Sequence, residues 1–352
     1  MGAMTTTDHG ADRVETVPLF DVITPGASTG IGSLPHRDAR AGVEFALREH
    51  ELAVIPSLPR RSPAEAMIAQ ALVGVPGIAL GQYGSIAVDV DRIDTSAVRT
   101  DLGSDSFVGF RTFCDVALER GLAGMPVKWQ FVGPITLGVA LIRAGVPVDV
   151  AFEVGETAVR QHVRALHAEV ARCMPGSPQL VLFDEPWLGE LADQDFPIDP
   201  DHAIDLLSGA MASLQPDATV GVHCCARTDW ASVLAAGPQV LSLPATGDLV
   251  SVGGYLQRFL EHDGWIAWGA VATDGPIGVT AGRAWYHLSG LWCELVQGGA
   301  DPVALRRQSF VTPHCGLGTH SPVVAERVCR TVRDISRRVR DQATAARFVL
   351  GA

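Results

Sequence analysis

Nowhere in this chain do about eighteen apolar residues run together, which excludes a bilayer-spanning helix of ordinary composition. Blocks of lysine and arginine are missing too. The 27 basic residues are scattered and outnumbered by 39 acidic ones, giving a net charge of −12. A chain of that sign lacks the electrostatic footprint for nucleic acid or an anionic membrane. No basic stretch leads into an apolar run at the N-terminus, so no secretory signal is read there. The seven cysteines (Cys114, Cys173, Cys224, Cys225, Cys293, Cys315 and Cys329) are odd in number and widely spaced. They do not read as a disulfide framework, and reduced thiols in a cytoplasm are the expectation. Gly30-x-Gly32 has no third glycine at the dinucleotide-binding spacing. Short-period repeats and low-complexity linkers are absent.

What is present suits one large core. Of 352 residues, 47% are hydrophobic and 19% charged. Eight short apolar runs read as strands: 29–34, 52–57, 126–132, 179–183, 219–223, 239–243, 265–271 and 309–312. Amphipathic stretches lie between them, at 151–172, 202–214, 250–262, 281–297 and 322–343. Strand–helix alternation of this kind predicts an α/β fold, a single (β/α)8 TIM barrel. Residues 60–125 exceed one helix, so an extra segment is expected after the second strand. Residues 1–25 are expected to be a disordered N-terminal segment, with a tag remnant at 1–4, and 26–352 the catalytic barrel. The basic face of 322–343 is expected to be solvated surface.

Chemistry-bearing residues fall at the predicted C-terminal strand ends, where barrel active sites form. His223-Cys224-Cys225 closes the fifth strand, and Cys315 follows the eighth in Thr312-Pro313-His314-Cys315-Gly316. Alternation along a strand puts His223 and Cys225 on one face and Cys224 on the other. One imidazole and two thiolates suit Zn2+ with a position left open. Any one of these cysteines alone reads as a small buried core residue; the combined set is what points to a metal. Asp184-Glu185-Pro186 closes the fourth strand, with Asp184 facing the site and Glu185 the opposite way, as a brace. Gly30-Ile31-Gly32-Ser33 offers a hydroxyl and backbone amides to a carboxylate, or is simply a tight turn. Trp129 is a candidate for stacking on a flat ligand or a core residue. His314 is a candidate proton carrier.

These motifs, in this order, resemble the cobalamin-independent methionine synthase family. The resemblance is carried by Ile31-Gly32-Ser33-Leu34-Pro35, Gly133-Pro134-Ile135-Thr136, Asp184-Glu185-Pro186, His223-x-Cys225 and Pro313-His314-Cys315-Gly316-Leu317. It covers the chain from about Thr29 onward and matches the family's C-terminal catalytic barrel, as in its short, core-type members. The same barrel is shared with uroporphyrinogen decarboxylase and the corrinoid:thiol methyltransferases. The resemblance implies a zinc-dependent S-methyltransferase, with zinc on His223, Cys225 and Cys315. Ser33 and Asp184 would hold the carboxylate and ammonium of homocysteine. The methyl donor would be a corrinoid protein or methylcobalamin, or else methyltetrahydrofolate.

Two departures stand out. The family's glutamate zinc ligand falls where this chain has Pro244, with Asp248 as the nearest carboxylate. A glutamate that helps hold the homocysteine ammonium falls in Pro56-Ser57-Leu58-Pro59, where there is no acid. Another thiol acceptor for a corrinoid-dependent enzyme, a metal-free decarboxylase, or a non-catalytic corrinoid- or folate-binding barrel are the alternatives.

Overall fold

A computed structural model describes residues 17–81, 84–275 and 278–349 of the chain. Ten strands occur among them: β1 (Ala27–Ser28), β2 (Ala53–Val54), β3 (Ile78–Leu80), β4 (Ile86–Val88), β5 (Val127–Val132), β6 (Gln179–Asp184), β7 (Thr219–His223), β8 (Val240–Pro244), β9 (Trp265–Val271) and β10 (Ser309–Pro313). Eight form one parallel sheet in the order β1-β10-β9-β8-β7-β6-β5-β2. Its two ends meet beyond β1 and β2, through a parallel bridge between Ser33 and Ser57. Leu34 N donates to Ser57 O (2.9 Å) and Ser57 N to Gly32 O (3.3 Å). The fold is therefore TIM-barrel-like. β3 and β4 make a separate antiparallel hairpin within the segment after β2.

The strands form where apolar residues run continuously, as a sheet covered on both faces requires. Period-two alternation then sorts side chains into two layers. On β6, Leu180, Leu182 and Asp184 take the interior line, while Val181 and Phe183 join the outer core. The barrel floor is apolar: Trp265 and Phe310 sit 5.0 Å apart, and Leu52, Leu180 and Val240 belong to the same cluster. Higher up, the same interior lines carry Asp184, His223 and Ser242, while Lys128 and Thr219 are polar exceptions level with Leu180. Burial of the floor and exposure of the mouth follow from one register.

The outer helices pack their apolar stripes against the strands. Val148–Cys173 buries Val154, Ala158, Val163, Leu166 and Val170, and Ala281–Gln297 buries Leu288, Leu291, Trp292 and Leu295. The basic face of Pro322–Val349 is only partly solvated. Arg333 pairs with the buried Glu49 (2.8 Å), and Arg340 pairs with Glu51. These ions tie the last helix to the chain between β1 and β2.

Of the N-terminal segment expected to lack structure, residues 1–16 lie outside the described residues. Its remainder does not fit the expectation. Leu19–Val22 is a helical turn, Leu19 is buried, and Phe20 stacks on Trp265 at 4.7 Å. Two apolar residues closing the barrel floor outweigh their polar surroundings.

Candidate metal centre and cavity

His223 ends β7 on the interior line, and Cys225 follows two residues on. Cys315 comes from the loop after β10, where the pairing with β9 shifts register between Thr312 and Pro313. A bulge of this kind re-aims the chain, as is common next to sites. The three donor atoms, the His223 imidazole nitrogen and the two sulfurs, lie within 4.8 Å of one another. Among the described residues, no other group of His, Cys, Asp and Glu gathers in this way. Cys224 is fully buried on the other side, its Sγ 3.5 Å from Ala226 O.

The surroundings prepare His223 for a ligand. Its Nδ1 is 2.9 Å from Ser242 Oγ, on the neighbouring β8, and both residues are buried. Its Nε2 is buried and has no protein partner. A buried nitrogen left unpaired costs about 1–3 kcal/mol. With the Nδ1 proton directed at Ser242, the Nε2 lone pair is presented to the two thiols. A hydrogen bond between those thiols pulls Cys225 below the usual thiol range and pushes Cys315 above it. Such contact marks two sulfurs close enough to share one charge. A tetrahedral zinc site, with bonds of about 2.0–2.3 Å, needs donors about 3.5–4 Å apart. Side-chain rotation within the observed spread meets that requirement, so the residues present fit zinc.

The acidic neighbours sort differently. Asp184 is nearly buried at the end of β6, level with His223 in the sheet register. Its Oδ1 has no partner, and burial pushes its carboxyl up to about 6 against the opposing charges of His223 and Lys128. Glu185 points outward, as its position predicts. It accepts from Ile135 N (2.9 Å) and Thr136 N (2.7 Å), the orphan amides opening the helix Pro134–Arg143. That bond fixes the β5 and β6 ends to one another. Asp248 does not replace the missing glutamate ligand. Its carboxylate is taken by Arg227 (3.1 Å) and Thr246 (2.9 Å), and it is not in the metal-type cluster.

Ser33 sits opposite, against the loop that carries Cys315. Ser33 Oγ accepts from Gly318 N at 3.2 Å, which leaves its proton free to donate. A Cβ on Gly316 would lie 2.1 Å from that oxygen, so only glycine lets the loop close over it. Gly32 holds φ at +154°, and a side chain there would strike Gln130 at 2.5 Å.

A cavity of about 770 Å³ opens at the C-terminal ends of the strands. Ser33, Asp184, His223, Cys225 and Cys315 all line it, so five of the sequence-expected residues share one space. Trp129 also contributes to its wall, with its indole N–H held by Gln179 at 2.8 Å. His314 does not line it. Its neighbours are His287 and Asp274, and burial lowers its pKa. His320, which with His314 flanks Cys315 and is a second candidate proton carrier, lines the mouth; residues that the sequence reading missed include Asp274, Thr273 and Arg60, also at the mouth, and Gln130 beneath it. Lys128 is fully buried under the site, donating to Ile31 O and to Gln130 Oε1 (2.8 Å), with burial lowering its pKa to about 7. Its alternation with Trp129 on β5 was a readable signal for an inward lysine.

Comparison with protein-family profiles gives no match, and neither does a search of curated proteins. Solved structures do share the fold. A B12-independent methionine synthase from Shewanella sp. W3-18-1, solved with selenomethionine, superposes with TM-score 0.60 at 13% identity, over 92% of this chain and 100% of that one. A methyltransferase from Methanosarcina mazei gives TM-score 0.54 at 13% identity, over 89% and 94%. A putative vitamin-B12-independent methionine synthase from Listeria monocytogenes gives 0.53 at 13%, over 91% and 98%. At this identity the likeness speaks to the fold alone; two of the three structures carry the name of the family whose motifs the sequence resembles.

Proposed function

We propose that this protein is a zinc-dependent S-methyltransferase of the methionine synthase type, transferring a methyl group to a small thiol, homocysteine being the favoured acceptor. The observation that carries the reading is the convergence of the unpartnered His223 Nε2 with the Cys225 and Cys315 sulfurs in the barrel cavity. The donor set is soft and thiolate-rich, and has room for a fourth ligand.

His223, Cys225 and Cys315 would hold the ion. Zinc bound there would supply a Lewis acid that keeps a ligating thiol deprotonated near neutral pH. The protein's own groups then position the acceptor. Asp184, whose side chain borders the cavity, would take an ammonium. Ser33 Oγ, its lone pair engaged by Gly318 N, would donate its proton to a carboxylate. The acceptor sulfur gives its electron pair to the methyl carbon, and the methyl–donor bond breaks with its pair left on the donor. Burial of the reacting groups in one cavity supplies orientation, the main source of rate for such a transfer. His320 and Asp274, at the mouth, are better placed than His314 to manage protons on a departing donor.

The donor would be a methylcorrinoid, free or protein-bound, or methyltetrahydrofolate. The net charge of −12 favours a donor without a polyanionic tail. The test is to supply zinc-loaded protein with homocysteine and each donor in turn and to follow methionine. Product that disappears in Cys315→Ser supports the proposal. Stoichiometric zinc without turnover on any of these donors would point to a binding protein instead.

A further inference from the structure

Lys128 takes no part in the chemistry above, and the fold alone gives it little reason to be there. It stands fully buried on β5, level with Val54 on β2 and Leu180 on β6. Its Nζ donates to Ile31 O and to Gln130 Oε1 (2.8 Å), both uncharged oxygens. Setting an ammonium on neutral partners away from water is unfavourable, and an apolar side chain of similar volume would fill the same space at less cost.

What the lysine reaches is the loop that presents Ser33. Regular bonding along the first strand ends at Thr29, whose N donates to Val311 O (3.0 Å), and resumes at Leu34. Residues 30–33 lie off the ladder. At the rim, other loops hold them: Ser57 N donates to Gly32 O (3.3 Å), Leu317 N to Ser33 O (2.8 Å) and Gly318 N to Ser33 Oγ (3.2 Å). From the barrel interior, Lys128 is the one side chain among the described residues that bonds the backbone of this loop. Its second partner, Gln130, packs against Gly32, filling the place that a side chain there would take. One amine therefore holds the loop twice, directly at Ile31 and through Gln130 at Gly32. It does so from β5, a strand paired on both sides. A hydroxyl tied to such an element is held to closer geometry than one aimed by loops alone.

On the methyl-transfer reading above, which this deepens, we infer that Lys128 is a positioning residue for the acceptor's carboxylate: by tying Ile31 and Gln130 to the barrel, it fixes the Ser33 hydroxyl that receives that group. Lys128 is fully buried, does not line the cavity and lies outside the metal-type cluster, so it acts on the acceptor through the loop.

Binding tests this without a methyl donor. The full-length protein is loaded with Co2+, whose spectrum changes when a thiol enters its coordination shell. Three thiols report on different contacts. Propane-1-thiol reads the metal alone, 3-aminopropane-1-thiol adds the ammonium, and 4-mercaptobutanoate adds the carboxylate. Lys128→Met is expected to raise the half-saturation concentration of 4-mercaptobutanoate about 10-fold or more, the worth of a hydrogen bond to a charged group. The other two midpoints should stay where they are. In a Ser33→Ala background the same change should cost nothing further, since the hydroxyl it acts through is gone. Lys128→Leu, smaller and equally without a donor, repeats the reading should methionine fit poorly. Equal losses on all three thiols, an unmoved 4-mercaptobutanoate midpoint, or an undiminished loss in the Ser33→Ala protein would overturn the inference. So would failure of both Lys128 variants to fold and take up cobalt, which would make the lysine a requirement of the fold. A cobalt spectrum indifferent to every thiol would instead remove the metal reading, and the inference with it.

Discussion

Ser242 is the least conspicuous residue of the site and offers the sharpest test of how it is built. Its hydroxyl, 2.9 Å from His223 Nδ1, is that nitrogen's partner, and both groups are buried. Ser242→Ala removes the partner without touching a proposed ligand. In the metal-free protein the imidazole can respond by carrying its proton on either nitrogen. With a cation on Nε2 the proton must sit on Nδ1, where it would now face alanine. The penalty therefore falls on the loaded form. A buried donor left unpaired costs about 1–3 kcal/mol, and removing such outer partners typically weakens metal binding about 10- to 100-fold. Competition against a chromogenic zinc chelator measures the change directly. Ser242→Thr, which keeps the hydroxyl, should recover most of the affinity. Zinc affinity unchanged in Ser242→Ala would refute the claim that Nε2 is the ligating atom.

Other outcomes follow from the same geometry. Cys224→Ala should retain one equivalent of zinc while Cys225→Ala loses it, since the two thiols point to opposite faces; metal analysis of the purified variants decides. Asp184→Asn should raise the homocysteine KM by about 10- to 100-fold, the worth of a hydrogen bond to a charged group, and leave binding of propane-1-thiol unchanged. The Glu185 carboxyl is raised by burial from 4.5 to about 7. The folded chain therefore holds a proton that the unfolded chain releases. That contribution is fully present below about pH 4.5 and is lost as pH rises through 7. Urea midpoints across pH 5 to 8 should show this downward slope, and Glu185→Gln should flatten it.

Legibility of the fold in the sequence varied with the physics of each element. β7 and β9 occupy the expected residues because a strand covered on both faces must be an unbroken apolar run. The first two strands were expected over 29–34 and 52–57, yet the ladders cover only Ala27–Ser28 and Ala53–Val54. Gly30, Gly32 and Pro56 interrupt regular pairing, and the chain closes instead through Ser33 and Ser57. The hairpin β3–β4 left no signal, since three-residue strands are too short to show a period. Within the site, His223 and Cys225 were readable because strand alternation is local. Ser242 owes its position beside His223 to the register of neighbouring strands, which no single segment encodes. Among the described residues the glutamate that the family has at the place of Pro244 has no substitute, because Arg227 and Thr246 already claim Asp248.

The central claim is that an imidazole and two sulfurs hold an ion on which a substrate thiol is made reactive. Zinc-edge absorption on purified protein, before and after homocysteine is added, tests it most directly. The account predicts one zinc per chain with one nitrogen and two sulfur neighbours from the protein, and one further sulfur at about 2.3 Å once the thiol is present. Protein without zinc after loading, or a coordination shell that the thiol leaves unchanged, would contradict it.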